Sequence, residues 1–384
     1  MGWRPIVVGV AAAVSLSAAG AALSLRISAA PERPLVTNTL QRPLTQLYTL
    51  KMMTLRAGWA VNGNQLLHTV DGGRCWVSVT PVGLPIIVDG STVRNTVWQF
   101  VNGQTAWIAG RAGPGATVRL AYTRDGGRHW KEQTIPVPGL TNGTELTAVD
   151  FLNSHEGWIM GSGLGVIGST TIWTTTNGGQ TWHQVYGTPL AGGNLVFQTP
   201  TMGWITIATP GNDGPQFKLE TTTTGGRAWT AVPLPNIGWI EPAGPPTFHG
   251  AAGLLSVWGT TGFVTVLRTS DGGQRWVWSS RKLPFPTNSA MFWTVRTRGG
   301  AVAWAITSGR LWRSTNGGQT WTLRSTAAFL KTASGLDFLN PSVGWLWQRT
   351  KNGRTQLWLT TSGGQRWTAI SPTLNVPMRR PHRV

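Results

Sequence analysis

Acidic residues are scarce in this 384-residue sequence. Thirteen Asp and Glu stand against 32 Lys and Arg, a net charge of +19, and charged residues of both signs make up only 12%, about half the usual share of ~25%. Cysteine occurs once, at Cys75, which excludes an intramolecular disulfide and leaves stability to packing. Six histidines, His68, His129, His155, His183, His249 and His382, are scattered without ligand spacing, which argues against a zinc centre. No metal and no cofactor is expected. No Gly-x-Ser-x-Gly elbow and no phosphate loop occurs, and the apolar residues follow no helical period.

The basic excess is nearly all arginine, since lysine is confined to Lys51, Lys131, Lys218, Lys282, Lys331 and Lys351. Such a balance implies an anionic partner or surface. It equally fits a secreted protein with few carboxylates to protonate in an acidic medium. The one long apolar run is residues 5–25, uncharged and bracketed by Arg4 and Arg26. It exceeds the ~7–15 residues of a cleaved signal core and matches the ~20 that span a bilayer. Ser28-Ala29-Ala30 would still allow cleavage. Residues 1–27 are therefore expected to be a signal anchor helix or a signal peptide, with 28–45 a Pro-containing linker. The body is expected outside the cell, tethered at the extracytoplasmic membrane face or secreted. Export and the lack of a basic–aromatic groove motif argue against nucleic acid.

Glycine (50) and tryptophan (23) are abundant instead. They are organised by a phrase, Ser/Thr-x-Asp-Gly-Gly-x-x-Trp in its fullest form, that recurs at 69–76, 123–130, 175–182, 222–229, 269–276, 314–321 and 360–367. Successive box tryptophans lie 54, 52, 47, 47, 45 and 46 residues apart, a period that signals a propeller or solenoid. A second tryptophan precedes each box, at Trp59, Trp107, Trp158, Trp204, Trp304 and Trp345, with Leu254 in the fifth copy. Upstream lies an apolar segment such as Val149-Asp150-Phe151-Leu152-Asn153. A third strand immediately precedes the box, and a fourth follows it. Four alternating strands with glycine punctuation make one antiparallel blade. Seven copies predict an all-β, seven-bladed propeller of four-stranded blades over 46–371, with 372–384 a basic tail.

The box residues predict hairpin caps. Paired glycines supply positive φ. The residue before them accepts backbone N–H groups, through Asp71, Asp125 and Asp271, Asn177 and Asn316, or Thr224 and Ser362. A catalytic or metal site would not tolerate that interchange. Cys75 lies in the first box where other copies have Thr181 or Thr320, and reads as a turn substitution.

The eight-residue phrase resembles the Asp-box, or BNR repeat, of sialidase-type propellers. The fuller unit, best seen in Val149 to Asn153, Gly157-Trp158-Ile159-Met160-Gly161 and Thr175 to Trp182, resembles the photosystem II stability/assembly factor domain and its non-photosynthetic bacterial relatives. The resemblance covers residues 46 to 371. It implies a non-enzymatic platform that escorts a membrane-protein partner, with an arginine-rich patch as the contact. A monomer is expected.

An enzymatic alternative is weaker on the residues. Sialidase chemistry needs an arginine triad, a tyrosine–glutamate pair and an aspartate. Arg33-Pro34-Leu35 and Arg42-Pro43-Leu44 do not reproduce the usual Arg-Ile-Pro segment, and of Tyr48, Tyr122 and Tyr186 only Tyr48 falls on an inner strand. Other glycosidases need two carboxylates ~5–10 Å apart. Asp150 and Asp337 occupy equivalent inner-strand positions and read as structural, while Asp213 and Glu241 lie in long loops and are the carboxylates to test. No enzyme is expected, the alternative being a carbohydrate-binding protein or glycoside hydrolase.

Ligand contacts are expected off the repeat template. The long loops 81–95, 161–170, 209–216 and 233–249 share one side with Arg94, Arg111, Arg281 and Arg349, and the last contains Trp239 and Glu241. On the opposite side the box turns carry Arg74, Arg128, Arg227, Arg275 and Arg366. These form a candidate rim for anionic lipid or cell-wall polymer, or are simply solvated turn residues.

Overall fold

A computed structural model describes residues 39–84, 87–89, 92–94, 96–111, 117–136, 144–163, 169–188, 191–209, 216–235, 240–242, 244–259, 264–279, 291–294 and 302–377. The helix expected within 1–27 lies outside them. Seven antiparallel sheets follow one another along the chain, each running from an inner strand to an outer one. In the third blade these strands are Thr144–Phe151, Gly157–Gly163, Thr170–Thr175 and His183–Thr188; in the seventh they are Ala333–Phe338, Gly344–Arg349, Thr355–Thr360 and Thr368–Ile370. The protein is an all-β, seven-bladed propeller. Its described residues contain no α-helix, only the 3-10 turn Ala328–Thr332.

One aromatic interaction repeats around the ring. The second-strand tryptophan of each blade stacks on the inner-strand phenylalanine of the next: Trp59 on Phe100, Trp107 on Phe151, Trp158 on Phe197 and Trp304 on Phe338, with Trp204 tilted against Phe248. Centroid separations of 3.6 Å at Phe151 and 3.9 Å at Phe338 leave no room between the rings. At the seam between blades 7 and 1, Met52 takes the place of phenylalanine in a cluster with Trp345. At the fifth blade Leu254 packs with Ala303, Ala305 and Trp321. The Gly-Trp pair in the sequence has its cause here. A Cβ at Gly344 would fall 2.5 Å from the ring of Phe338 in its own blade, and Gly203 and Gly253 meet Phe197 and Phe248 in the same way. The glycine lets the phenylalanine lie flat on its own sheet while its other face receives the neighbouring tryptophan.

The ring closes outside the repeat. Strand Thr373–Pro377 pairs in parallel with Cys75–Ser78, the outer strand of blade 1, and Thr39–Pro43 pairs antiparallel with Thr373–Pro377. The first sheet thus has six strands. Leu44 N–H donates to the Pro372 carbonyl, and Thr355 N–H to the Leu44 carbonyl. The sequence reading places 39–43 in a linker and 373–377 in a tail; both segments are instead a clasp across the seam between blades 7 and 1.

Two further departures follow from the chain. Residues 81–95, expected as a loop, contain the hairpin Ile87–Asp89 with Thr92–Arg94. The inner strand of blade 5 is split into Ile240–Pro242 and Thr247–His249, both pairing with Ala252–Gly259. Pro245 and Pro246 lie between the two pieces, and proline cannot donate to a ladder.

Candidate functional site: the turn face and the axial channel

Each box builds the same turn. The first-position hydroxyl accepts the N–H of the second glycine, as Thr69 Oγ1 does from Gly73 at 3.2 Å and Ser314 Oγ from Gly318 at 2.8 Å. The third-position side chain then accepts the N–H groups that follow. Asp71 Oδ1 takes Arg74 and Cys75, Asp125 takes His129, Asn177 takes Thr181, Thr224 takes Ala228, Asp271 takes Gln274 and Arg275, Asn316 takes Thr320, and Ser362 takes Arg366. Carboxylate, amide and hydroxyl perform one task, because the turn needs only an oxygen lone pair. Six box tryptophans return their indole N–H to the carbonyl of their own second box glycine, as Trp76 does to Gly73. Trp130 instead reaches the Val79 carbonyl of the preceding blade.

These bonds set the charge of one face. The first box glycine also donates to the loop between the inner and second strands, as Gly72 does to Arg56 and Gly178 to His155. Both kinds of loop therefore share a face, here termed the turn face. Its aspartates point inward at backbone amides. The Thr269 hydroxyl and the Arg275 and Gln274 N–H groups hold the Asp271 carboxyl below its usual range, and His129 does the same for Asp125. The arginines point outward: Arg74, Arg128, Arg227, Arg275 and Arg366 are all exposed, as are Arg56 and Arg124. Arg74 and Arg227 fold back onto the carbonyls of Asp71 and Thr224.

The capped aspartates give a pH signature. A carboxylate whose folded-state pKa is depressed contributes stability above its unfolded value of 3.8, and that stability is lost as pH falls through the folded value. Asp271→Asn keeps the acceptor oxygen but cannot titrate. The urea midpoints of wild type and Asp271→Asn are therefore expected to converge on acidification from pH 7 to below pH 3. A gap independent of pH would show that the carboxylate adds nothing beyond its lone pair.

The second feature lines the axis. In an inner strand successive N–H groups point to opposite edges, so every second amide faces the channel with no neighbouring strand to receive it. Side chains from the preceding blade supply the acceptor. Asp337 Oδ2 accepts Met52 N–H at 2.8 Å, Gln99 Oε1 accepts Phe151 N–H at 2.6 Å, and Asp150 Oδ2 accepts Phe197 N–H at 2.6 Å. Gln99 Nε2 donates in turn to Asp150 Oδ1, and Lys51 Nζ to Asp337 Oδ1 at 2.6 Å. Asp150 and Asp337 are thus equivalent structural acceptors. By strand register, Val196, Thr247 and Trp293 occupy the corresponding positions in blades 4, 5 and 6. The linked polar side chains therefore come from blades 7, 1, 2 and 3, the last of them, Asp150, receiving an N–H of blade 4. A channel cavity of about 530 Å³ lies against Lys51, Gln99, Trp98, Phe100, Thr247 and Phe338. Lys51, Gln99 and Trp98 are absent from the sequence-level candidates; their signal is the position just before, or two before, the recurring inner-strand aromatic.

The other sequence candidates do not assemble. Trp239 and Arg281 lie outside the described residues. Arg94 is placed by its backbone opposite Ile87, and Glu241 sits opposite Trp258 in a short strand rather than in a loop. Arg111 and Arg349 end the second strands of blades 2 and 7, with blade 1 between them. Arg349 joins Tyr48 and Trp347 around a cavity of about 440 Å³. Burial raises the Glu220 carboxyl and the Tyr186 phenol, the latter also through the Glu220 charge, but these residues belong to third and outer strands, away from the axis. No group of three or more metal-ligating side chains exists among the described residues.

No protein-family profile matches the chain, and no curated protein matches it. Solved structures do. A structure of YCF48 bound to a D1 peptide is 21% identical, covers 84% of this chain and 95% of its own, and superposes with a TM-score of 0.54. The two share a fold. YCF48 from Cyanidioschyzon merolae matches at 17% identity over 85% of this chain and 97% of its own, with a TM-score of 0.49. A prolyl endopeptidase matches at 12% identity and a TM-score of 0.56, over 88% of this chain but only 51% of its own. The shared architecture thus occurs both in a chain of nearly equal extent and as part of larger hydrolases.

Proposed function

We propose that this chain is a non-catalytic propeller scaffold, exported and acting at the cell surface, whose turn face binds a protein or anionic partner. The observation that carries the reading is the division of charge on that face. The turn carboxylates are spent on backbone amides, while five box arginines project to solvent. A YCF48 chain of matching extent, bound to a D1 peptide, supports a protein partner, and the resemblance of the repeat unit to the photosystem II stability/assembly factor domain supports a role as an assembly or stability factor for a membrane complex. The axial carboxylates favour the non-catalytic reading, since each already holds a structural N–H group.

Each arginine near an anionic surface contributes on the order of 1 kcal/mol, screened by salt. The full chain is expected to co-sediment with phosphatidylglycerol-containing vesicles at low salt and to dissociate at high salt. Replacing Arg74, Arg128, Arg227, Arg275 and Arg366 with glutamine should abolish the salt-dependent fraction. Binding that is absent, or indifferent to both salt and substitution, would sink the anionic-surface reading; affinity capture from the protein's own cells tests the protein partner.

A further inference from the structure

The axial acceptor pattern breaks at the seam between blades 1 and 2. At three seams, 7 to 1, 2 to 3 and 3 to 4, a side-chain oxygen from one blade receives the N–H of the residue after the axial position in the next. At the seam from 1 to 2 the axial residue is Lys51, which has three N–H donors and no lone pair. The amide across from it belongs to Phe100. Val101 N–H donates outward to the Thr105 carbonyl, so Phe100 N–H points at the axis, and it meets no acceptor among the described residues. Lys51 turns back to Asp337, leaving its side chain 48% exposed to the channel. The Lys51 ammonium and the Phe100 residue thus line one cavity at the seam where the neighbouring seams place a carboxylate or amide oxygen. The cavity of about 530 Å³ around them has both polar and apolar walls, the apolar part including Trp98, Met53, Val101 and Leu339.

We propose that the axial channel binds a small carboxylate with an apolar or aromatic body. One carboxylate oxygen accepts Phe100 N–H and the other accepts a free N–H of Lys51, completing the acceptor arc. The body of the ligand lies against Trp98. The site opens among the loops of the turn face, because Met53, Val101 and Leu339 are the residues entering those loops. It does not depend on the scaffold reading, since it uses none of the rim arginines.

The test uses phenylacetate as the probe, with 2-phenylethanol and sodium chloride at matched ionic strength as controls. Phenylacetate is expected to raise the unfolding temperature of the full chain in a saturable way. It should also shift the amide resonance of Phe100 in selectively 15N-phenylalanine-labelled protein. Lys51→Gln, which installs the acceptor that Gln99 supplies one seam further on, is expected to weaken the affinity at least tenfold. An equal response to sodium chloride, an unmoved Phe100 amide, or unchanged affinity in Lys51→Gln overturns the proposal. If the variant does not fold, the Phe100 amide of the wild type decides alone. Vesicle binding reads the rim separately, so either idea can fail without the other.

Discussion

Phe338→Ala is expected to lower folding stability by about 3–5 kcal/mol, the larger of the two expected losses at the blade seams. Phe338 is 1% exposed and stacks on Trp304 of blade 6, with its edge toward Trp367 of its own blade. Truncation removes the filler between two sheets joined only by the short chain segment 326–332, and the seam cannot collapse without rotating a whole blade. Phe329 makes a similar 3.9 Å stack on Trp358, but in the half-exposed 3-10 turn. Phe329→Ala is therefore expected to cost on the order of 1 kcal/mol. The readout is the urea midpoint at unchanged m-value. Gly344→Ala should cost about 1–3 kcal/mol through overpacking against the Phe338 ring. Combined with Phe338→Ala, it should cost much less than the sum, because the clash partner is gone. Equal losses for Phe338→Ala and Phe329→Ala would show that the aromatic seam is not what holds the ring together.

The seam explains which parts of this fold were legible in the residues. Everything generated by the repeat could be read: seven sheets, four strands each, the turn caps, and even the replacement of tryptophan by Leu254 in the fifth blade. These features rest on contacts within about fifty residues, so periodicity exposes them. The reason for Gly-Trp was not legible, because it needs the phenylalanine of the same sheet and the tryptophan of another at once. The axial arc was half legible. The equivalence of Asp150 and Asp337 marked them as structural, but the acceptor role of Gln99 and the reversal of Lys51 toward Asp337, 286 residues away, appear only when the ring closes. The candidate ligand loops fared worst. Their residues lie off the template by definition, so no repeat constrains them, and Glu241 turned out to extend a strand that two prolines interrupt. The clasp was read as linker and tail for a related reason. Leu40, Gln41, Arg42 and Pro43 are all exposed, so their strand has no buried face to impose alternation.

That clasp carries the largest stabilising prediction. Thr373 is the direct strand partner of Cys75 in the parallel pairing that closes the ring, and the two side chains interact. Neighbouring strands lie about 4.8 Å apart, inside the roughly 4.4–6.8 Å Cα range of a disulfide. Burial holds the Cys75 thiol above its usual range, which keeps it protonated and quiet in the native protein. Thr373→Cys is therefore expected to form a disulfide with Cys75 on mild oxidation, enclosing roughly 300 residues; in the chain-entropy view, a loop of that length is stabilised by up to about 5 kcal/mol. Oxidised Thr373→Cys should unfold at a higher temperature and more slowly than wild type, and dithiothreitol should return it to wild-type behaviour. Since the seven blades are held by stacked rings and the ends by one short exposed strand and one short half-buried strand, opening at the seam between blades 7 and 1 is the natural first step of unfolding. A covalent clasp blocks that step. If the oxidised variant gained thermal stability but unfolded at the wild-type rate, unfolding would begin at another seam, and the fifth, where leucine replaces the tryptophan, would be the next to cross-link.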